Sequence, residues 1–374
     1  MQQRQYQQAA INFLVSSKRG IVKAPAGAGK THIAASALAV CLSKRSGIAN
    51  VEVMVNTREQ VDQMLVACGR FAVIAAKCNL HVYCAAGAPV NTQPHLLIVD
   101  ECHRAAAPGW RNKIEQCATA RWGLSATPFS GDAERDAVVQ QLFANNLHAI
   151  ERTELVHDGH LASAKVTWHD VQANEAQGAI LSNTEALVAA RRKKMPYLFS
   201  NEPNANKQIN QCKWQAAQQH GIWNNSKRDM LITALACSAL ADGRHVIVLI
   251  GSIDHGRNLL TGIPGAELVY SKMGAKRRAD AIARFKTGAL RCMVGTSAIE
   301  EGFDAPIADT IIMAGCGRSE RKAIQATGRV LRPYDGKQCG HIHDFSDGFN
   351  PMLKRQAAQR RRIYGQLKYN QKLY

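Results

Sequence analysis

The stretch GIVKAPAGAGKT, residues 20–31, decides how the rest of the sequence is read. Its first half is a short apolar strand, and HIAASALAV, which follows at 32–40, has the pattern of a helix. Between them, Ala24 to Thr31 match the phosphate loop GxxxxGK followed by Ser or Thr, except that alanine stands at the first glycine. Gly27 and Gly29 let the backbone around Ala28 curl so that its N–H groups face phosphate oxygens, with the positive end of the helix dipole behind them. Lys30 reaches the terminal phosphates, and Thr31 offers a hydroxyl to magnesium. A glycine turn alone would predict nothing; strand, loop and helix in this order predict an α/β unit that holds a nucleotide.

The same grammar continues outward from the loop. VEVMV (51–55), HLLIVD (95–100) and ARWGLSAT (120–127) are strand-like runs separated by helical patterns. It returns as HVIVLIG (245–251), AELVYS (266–271), LRCMVGTS (290–297) and DTIIMAG (309–315). Short strands alternating with helices make parallel sheets, so the chain is expected to fold as two α/β lobes in tandem, over 1–154 and 226–350. Between them, 155–225 lacks strong strands after VTWHDV (166–171) and carries polar helical patterns, the basic run Arg191, Arg192, Lys193, Lys194, and a break at Pro196. It reads as a connecting segment with accessory helices. The stretch 351–374 holds Lys354, Arg355, Arg360, Arg361, Arg362, Lys368 and Lys372 without an acidic residue, and reads as a basic helix or tail. Either basic run is as readily a solvated face as a binding surface.

The strand of HLLIVD runs into Asp100, Glu101, Cys102 and His103. A parallel sheet exposes the carboxyl ends of its strands where a nucleotide's phosphates sit, so the two carboxylates arrive where hydrolysis needs them. Asp100 would hold magnesium and Glu101 would orient and deprotonate the attacking water. DECH by itself could be an exposed turn; paired with the phosphate loop it predicts an ATP hydrolase that uses Mg2+.

Composition sets the class of partner. The 374 residues carry 47 Lys and Arg against 29 Asp and Glu, a formal charge of +18, which favours nucleic acid over a small neutral substrate. A generally basic soluble enzyme is the alternative. The 11 cysteines are scattered without CxxC or Cys/His spacing, so no zinc site is expected and most should be reduced thiols. MQQRQYQQ at the start lacks the apolar core of a signal peptide and no run is long enough to span a bilayer, which predicts a cytoplasmic protein without a membrane partner.

These residues together resemble a superfamily 2 helicase of the DExH group, over nearly the whole length. The resemblance implies two tandem RecA-like lobes, each a mostly parallel sheet flanked by helices, with the ATP site in the cleft between them. Gln7 in RQYQQAA resembles the glutamine that reads adenine, and Thr57 and Arg58 in VNTREQ resemble the motif that grips the nucleic-acid backbone. Ser125, Ala126 and Thr127 in LSATP resemble the motif linking hydrolysis to movement, with hydroxyls able to bond His103. Thr296 and Ser297, with Gly302 and Asp304 in AIEEGFDAP, resemble the motif touching both backbone and nucleotide. In IQATGRVLRP, Arg329 and Arg332 stand three apart beside Gln325, expected on one helical face, and the resemblance implies that they complete the ATP site from the second lobe.

His103 in the fourth position and QATGRVLRP depart from the RNA-directed DEAD-box branch. GIWNNSKRDMLITALA (221–236) and GHIHDFSDG (340–348) are similar to segments of the branch that holds DNA-repair helicases and restriction-enzyme translocases. DNA is therefore expected ahead of RNA, on a monomer that takes specificity from its own cleft or from a protein partner. Beyond Thr92, no threonine-bearing backbone contact stands between Arg58 and Asp100, so the first lobe reads as abridged there. Three activities remain open: a helicase that unwinds or remodels DNA, a duplex translocase or annealing motor that leaves strands paired, and an RNA helicase. A binding protein without turnover is the non-enzymatic rival.

Overall fold

The computed structural model describes residues 4–87, 93–116, 120–173, 178, 185–296, 305–315 and 320–374, with backbone alone at 320–322 and 325. The chain divides into two compact units, Met1–Leu161 and Ala162–Tyr374.

The first unit is built on a sheet of β1 (Arg19–Lys23), β2 (Ala49–Val55), β3 (Cys78–Cys84), β4 (Leu96–Asp100), β5 (Arg121–Ser125) and β6 (Leu147–Ala149). They lie in the order β3-β2-β4-β5-β1-β6, and every neighbouring pair is parallel. β4 and β5 are buried along their whole length. Helices cover both faces, which is why these strands read as continuous apolar runs. The pleat divides them: Val53, Ile98 and Leu124 face the helix Lys30–Ser43, which buries Ile33, Leu38 and Leu42 there. Met54, Leu97 and Val99 face the other way, onto Ile114, Val139, Leu142 and Phe143. Strand β1 lies between β5 and β6, so the loop that follows it emerges beside the end of β5, with β4 one strand further on.

The second unit's sheet comprises β7 (Ser163–His169), β8 (Val246–Leu249), β9 (Glu267–Val269), β10 (Cys292–Gly295), β11 (Thr310–Ile312), β12 (Cys339–Phe345) and β13 (Asn370–Leu373). Its order is β13-β7-β12-β11-β8-β10-β9, again with parallel pairs. The stretch read above as a connector therefore supplies a sheet strand: β7 pairs with β12 from Ser163↔Cys339 to His169↔Phe345. Its remainder holds the helices Glu185–Lys194 and Glu202–Ala216, the latter running into a wider π-helical segment, Ala217–Trp223.

The basic stretch 351–374 is likewise part of the fold. Its helix, Pro351–Gln366, buries Leu353, Ala357, Arg360, Ile363 and Tyr364, and β13 adds an edge strand beside β7. Arg360 is turned inward because Asp344 on β12 is fully buried and needs a counter-charge. Arg360 Nε donates to Asp344 Oδ2 and its Nη2 to Oδ1, both at 2.9 Å, and Tyr364 Oη donates to Oδ2 at 2.9 Å. Lys354, Arg355, Arg361, Arg362, Lys368 and Lys372 remain exposed.

Candidate nucleotide and nucleic-acid site

In the first unit the loop after β1 is fastened at its start, where Ala24 N donates to Ser125 O at the end of β5, 3.0 Å away. Gly27 and Gly29 have φ of +89° and +81°, the left-handed region, and Gly29 caps the helix Lys30–Ser43. Glycine is required at 29 twice over, since a Cβ there would lie 2.9 Å from Gln7 Nε2. Gln7 is buried against this loop and donates to Ala28 O at 3.4 Å, as does Tyr6 Oη at 3.2 Å. Lys30 Nζ arches back over the loop to Ala24 O (3.2 Å) and Pro25 O (3.5 Å), and Thr31 stands in the first turn of the helix.

Asp100 is the last residue of β4 and Glu101 turns the chain with a φ of +53°. Both oxygens of Asp100 are held: Oδ1 accepts from Glu101 N at 3.0 Å and Oδ2 from Gln60 Nε2 at 3.4 Å. Glu101 Oε2 lies 3.2 Å from His103 Nδ1, which is also 3.1 Å from Ser125 Oγ. Ser125 Oγ in turn accepts from Thr127 N at 3.1 Å. A carboxylate only accepts, so the Glu101 contact places a proton on His103 Nδ1. Glu101, His103, Ser125 and Thr127 thus form one polar path from the end of β4 to the end of β5, with His103 and Ser125 buried at its middle. Cys102 packs closely on β5 because Gly123 faces it; a Cβ at 123 would come 3.0 Å from the Cys102 Cβ and Sγ.

The two carboxylates are driven apart electrostatically. Burial first, and then the charge of Glu101, push Asp100 up to about 7, against the pull of Lys30 and the Glu101 N–H. Burial also raises Glu101, but the hydrogen bond from His103 and the positive charges of Lys30, His103 and Arg104 outweigh it and hold that carboxyl low. Glu101 is therefore the ionised member, the state a general base requires. A buried acid beside a second carboxylate favours a cation nearby, and a carboxylate is the kind of oxygen donor that magnesium takes.

Thr57 caps the helix Arg58–Gly69, its Oγ1 accepting from Gln60 N at 3.3 Å. Gln60 Oε1 returns the bond to the N–H groups of Asn56 and Thr57, each at 3.0 Å. Arg58 is exposed. Gln60 went unnoticed in the sequence reading, although Thr57-x-x-Gln60 is a capping box. Thr92 lies outside the described residues.

In the second unit, Thr296 follows β10, its N–H donating to Val269 O at 3.3 Å. Ser297, Gly302 and Asp304 lie outside the described residues, as does the side chain of Gln325. The helix Glu320–Arg329 ends at Arg329, which is buried. Arg332 is therefore not on the same helical face, contrary to expectation; it sits in the following turn, its N–H 3.5 Å from Arg329 O. Pro333 explains the difference, because the residue before a proline is disfavoured in the α region. Lys337 Nζ, beyond this turn, donates to Pro306 O (2.9 Å) and Ala308 O (2.5 Å), and burial pushes it down to about 8.

Residues 226–334 match the family described as helicase conserved C-terminal domain, and residues 1–88 and 85–130 match the type III restriction enzyme, res subunit. The chain belongs to the superfamily 2 helicases. This helicase-family chain is 24% identical over 267 residues to "Putative helicase 22" of Sulfolobus islandicus filamentous virus, spanning 68% of itself and 42% of that protein. It is 22% identical over 355 residues to the DNA 3′-5′ translocase XPB2 of Sulfurisphaera tokodaii, covering 89% of itself and 79% of the relative. It thus spans less than half of the viral relative. Among solved structures, the Hef helicase domain of Pyrococcus furiosus superposes with a TM-score of 0.55 at 15% identity, covering 91% of this chain and 95% of that domain. Each unit is a RecA-like lobe.

Proposed function

We propose that the chain is a nucleic-acid-dependent ATPase that moves along or remodels DNA. The observation that carries this reading is the pairing, beside the Lys30 loop, of a raised Asp100 with a Glu101 held ionised by His103. The backbone of Gly27, Ala28 and Gly29 binds the phosphates, Lys30 neutralises them, and Gln7, seated against the loop, reads the base. Asp100 and Thr31 would hold Mg2+, which supplies positive charge to the phosphate oxygens. Glu101 orients the attacking water and accepts its proton. His103 passes the change at Glu101 to Ser125 and Thr127.

In this reading Gly302, Asp304, Gln325, Arg329 and Arg332 are the second lobe's nucleotide residues, as the helicase resemblance implies. A guanidinium that neutralises the transition state is worth on the order of 10³-fold or more in rate. Thr57 and Arg58 in the first lobe, and Thr296 and Ser297 in the second, are the residues that hold the phosphate backbone in this reading. DNA is favoured over RNA by the relatives, one of them named a DNA translocase. The res-subunit match favours a second reading, a motor that travels on duplex without separating it.

ATP hydrolysis measured with single-stranded DNA, duplex, forks, four-way junctions and RNA at one stated salt concentration tests the substrate class. DNA is expected to stimulate most; stimulation by RNA alone would overturn the preference. Strand displacement run beside triplex displacement separates the two motors, since a pure duplex translocase strips the third strand and leaves the duplex paired.

A further inference from the structure

Gln60 bridges two parts of the first lobe that the proposed function keeps separate. Its Oε1 accepts the N–H groups of Asn56 and Thr57, and its backbone N–H is capped by Thr57 Oγ1. The orientation of the amide is forced, because only its oxygen can face two N–H donors. Nε2 then points at Asp100 Oδ2, 3.4 Å away and 40 residues on in sequence. The turn at 56–58 that carries Thr57 and Arg58 is thus joined through one side chain to the carboxylate that closes β4.

We infer that Gln60 is a positioning residue that couples nucleic-acid contact at residues 56–58 to the orientation of Asp100, an inference that rests on the ATPase reading above. A phosphate accepting from the Asn56 and Thr57 N–H groups would compete with Gln60 Oε1 for them. The released amide then turns, and its donor no longer holds Asp100 Oδ2 as before. The contact is long enough to break readily and it acts on a buried carboxylate, where a single donor matters most. Glu101 N fixes the other oxygen, so losing or moving one bond rotates the carboxylate rather than freeing it.

The two roles of Gln60 separate by substitution in the full chain. Gln60→Glu keeps the acceptor for Asn56 and Thr57, since glutamate serves a capping box as well as glutamine does, but it removes the donor to Asp100 and adds a like charge. It should melt and bind DNA as the wild type does. Its DNA-stimulated ATP turnover should fall roughly tenfold, the size expected when a hydrogen bond to a charged group is lost, and half-maximal activity should shift in Mg2+ concentration. Gln60→Met, which adds no charge but removes both the acceptor and the donor, should show the same loss of stimulated turnover with DNA binding undiminished, should the glutamate variant melt low.

Wild-type stimulated turnover with wild-type Mg2+ dependence in either folded variant overturns the inference. So does a parallel loss of DNA binding and turnover, which would make Gln60 part of the nucleic-acid contact alone. If the unsubstituted chain hydrolyses ATP without responding to any nucleic acid, it is the proposed function that fails, and the two failures are distinct.

Discussion

Arg360→Ala should destabilise the second lobe severely, although Arg360 sits in a stretch whose composition suggests a solvated basic tail. The substitution removes two charge-assisted hydrogen bonds to Asp344, each 2.9 Å, and a third, 3.0 Å, to Phe345 O. Asp344 is left fully buried with Tyr364 Oη and the Phe345 N–H as its donors and no counter-charge from residue 360. Breaking a buried pair from one side costs about 3–5 kcal/mol. Hydrogen exchange of the β12 amides, followed by mass spectrometry, reads that loss locally. At about 1.4 kcal/mol per factor of ten, exchange should quicken roughly a hundred- to a few-thousandfold. The neighbouring Arg361→Ala is the internal control. Arg361 is exposed and lies 4.7 Å from the centre of the Trp168 ring, a contact worth about 0.5–1 kcal/mol. Equal and small effects of the two substitutions would refute the reasoning, because Arg360 would then behave as a surface charge.

Other substitutions test other parts of the account. Gly29→Ala forces a side chain into the left-handed region at about 1–2 kcal/mol and drives its Cβ against Gln7, so ATP affinity measured by calorimetry should fall more than tenfold while β4 amides keep their protection; undiminished affinity would contradict the loop geometry. His343 is pushed down to about 4 by burial first and then by His169, His341, Arg244 and Lys165. Its folded value lies below the free value of 6.5, so its contribution is complete above pH ~6.5 and is lost as pH falls toward about 4, roughly 3 kcal/mol in all. Unfolding of the second lobe across that window should show the slope in the wild type and a shallower one in His343→Gln; identical slopes would remove His343 as the cause. Arg332→Ala should nearly abolish hydrolysis while nucleotide binding persists, and the opposite split, weak binding with normal turnover, would end its assignment as a transition-state partner.

Much of the fold was legible because the central strands announce themselves. β4 and β5 are buried on both faces and therefore read as unbroken apolar runs bounded by turns. Three edge strands carry no such signal, unlike β9, which shows in AELVYS. β3, CNLHVYC, is half-exposed, β6 is three residues long, and β13, NQKL, is polar and mostly exposed. Edge strands are shielded from pairing by such residues, which also hide them from a reading of hydropathy. In the basic stretch 351–374 a helix was expected and is present, but composition cannot tell Arg360 from Arg361; only Asp344, buried on β12, distinguishes them.

At the site, the loop and DECH were readable because phosphate chemistry fixes spacing along the chain. The bond between His103 and Ser125, 22 residues apart, was expected through the family resemblance and is present, whereas Gln60 and Asp100 are 40 apart and their contact exists only once the sheet brings strand ends together. Gln60 left a local trace, the capping box, but a cap does not say what the amide's other end will touch. The placement of Arg332 on the helix failed for a local reason, Pro333, which was visible in the sequence.

The account turns on Glu101 acting as the base for nucleic-acid-dependent ATP hydrolysis. ADP formation by the wild type and by Glu101→Gln, with DNA titrated into each, addresses this directly. The wild-type rate should climb with DNA and saturate, while the variant binds ATP yet stays lower by roughly 10²–10⁴-fold, the usual contribution of a positioned base. Equal DNA-stimulated rates in the two proteins would contradict the account.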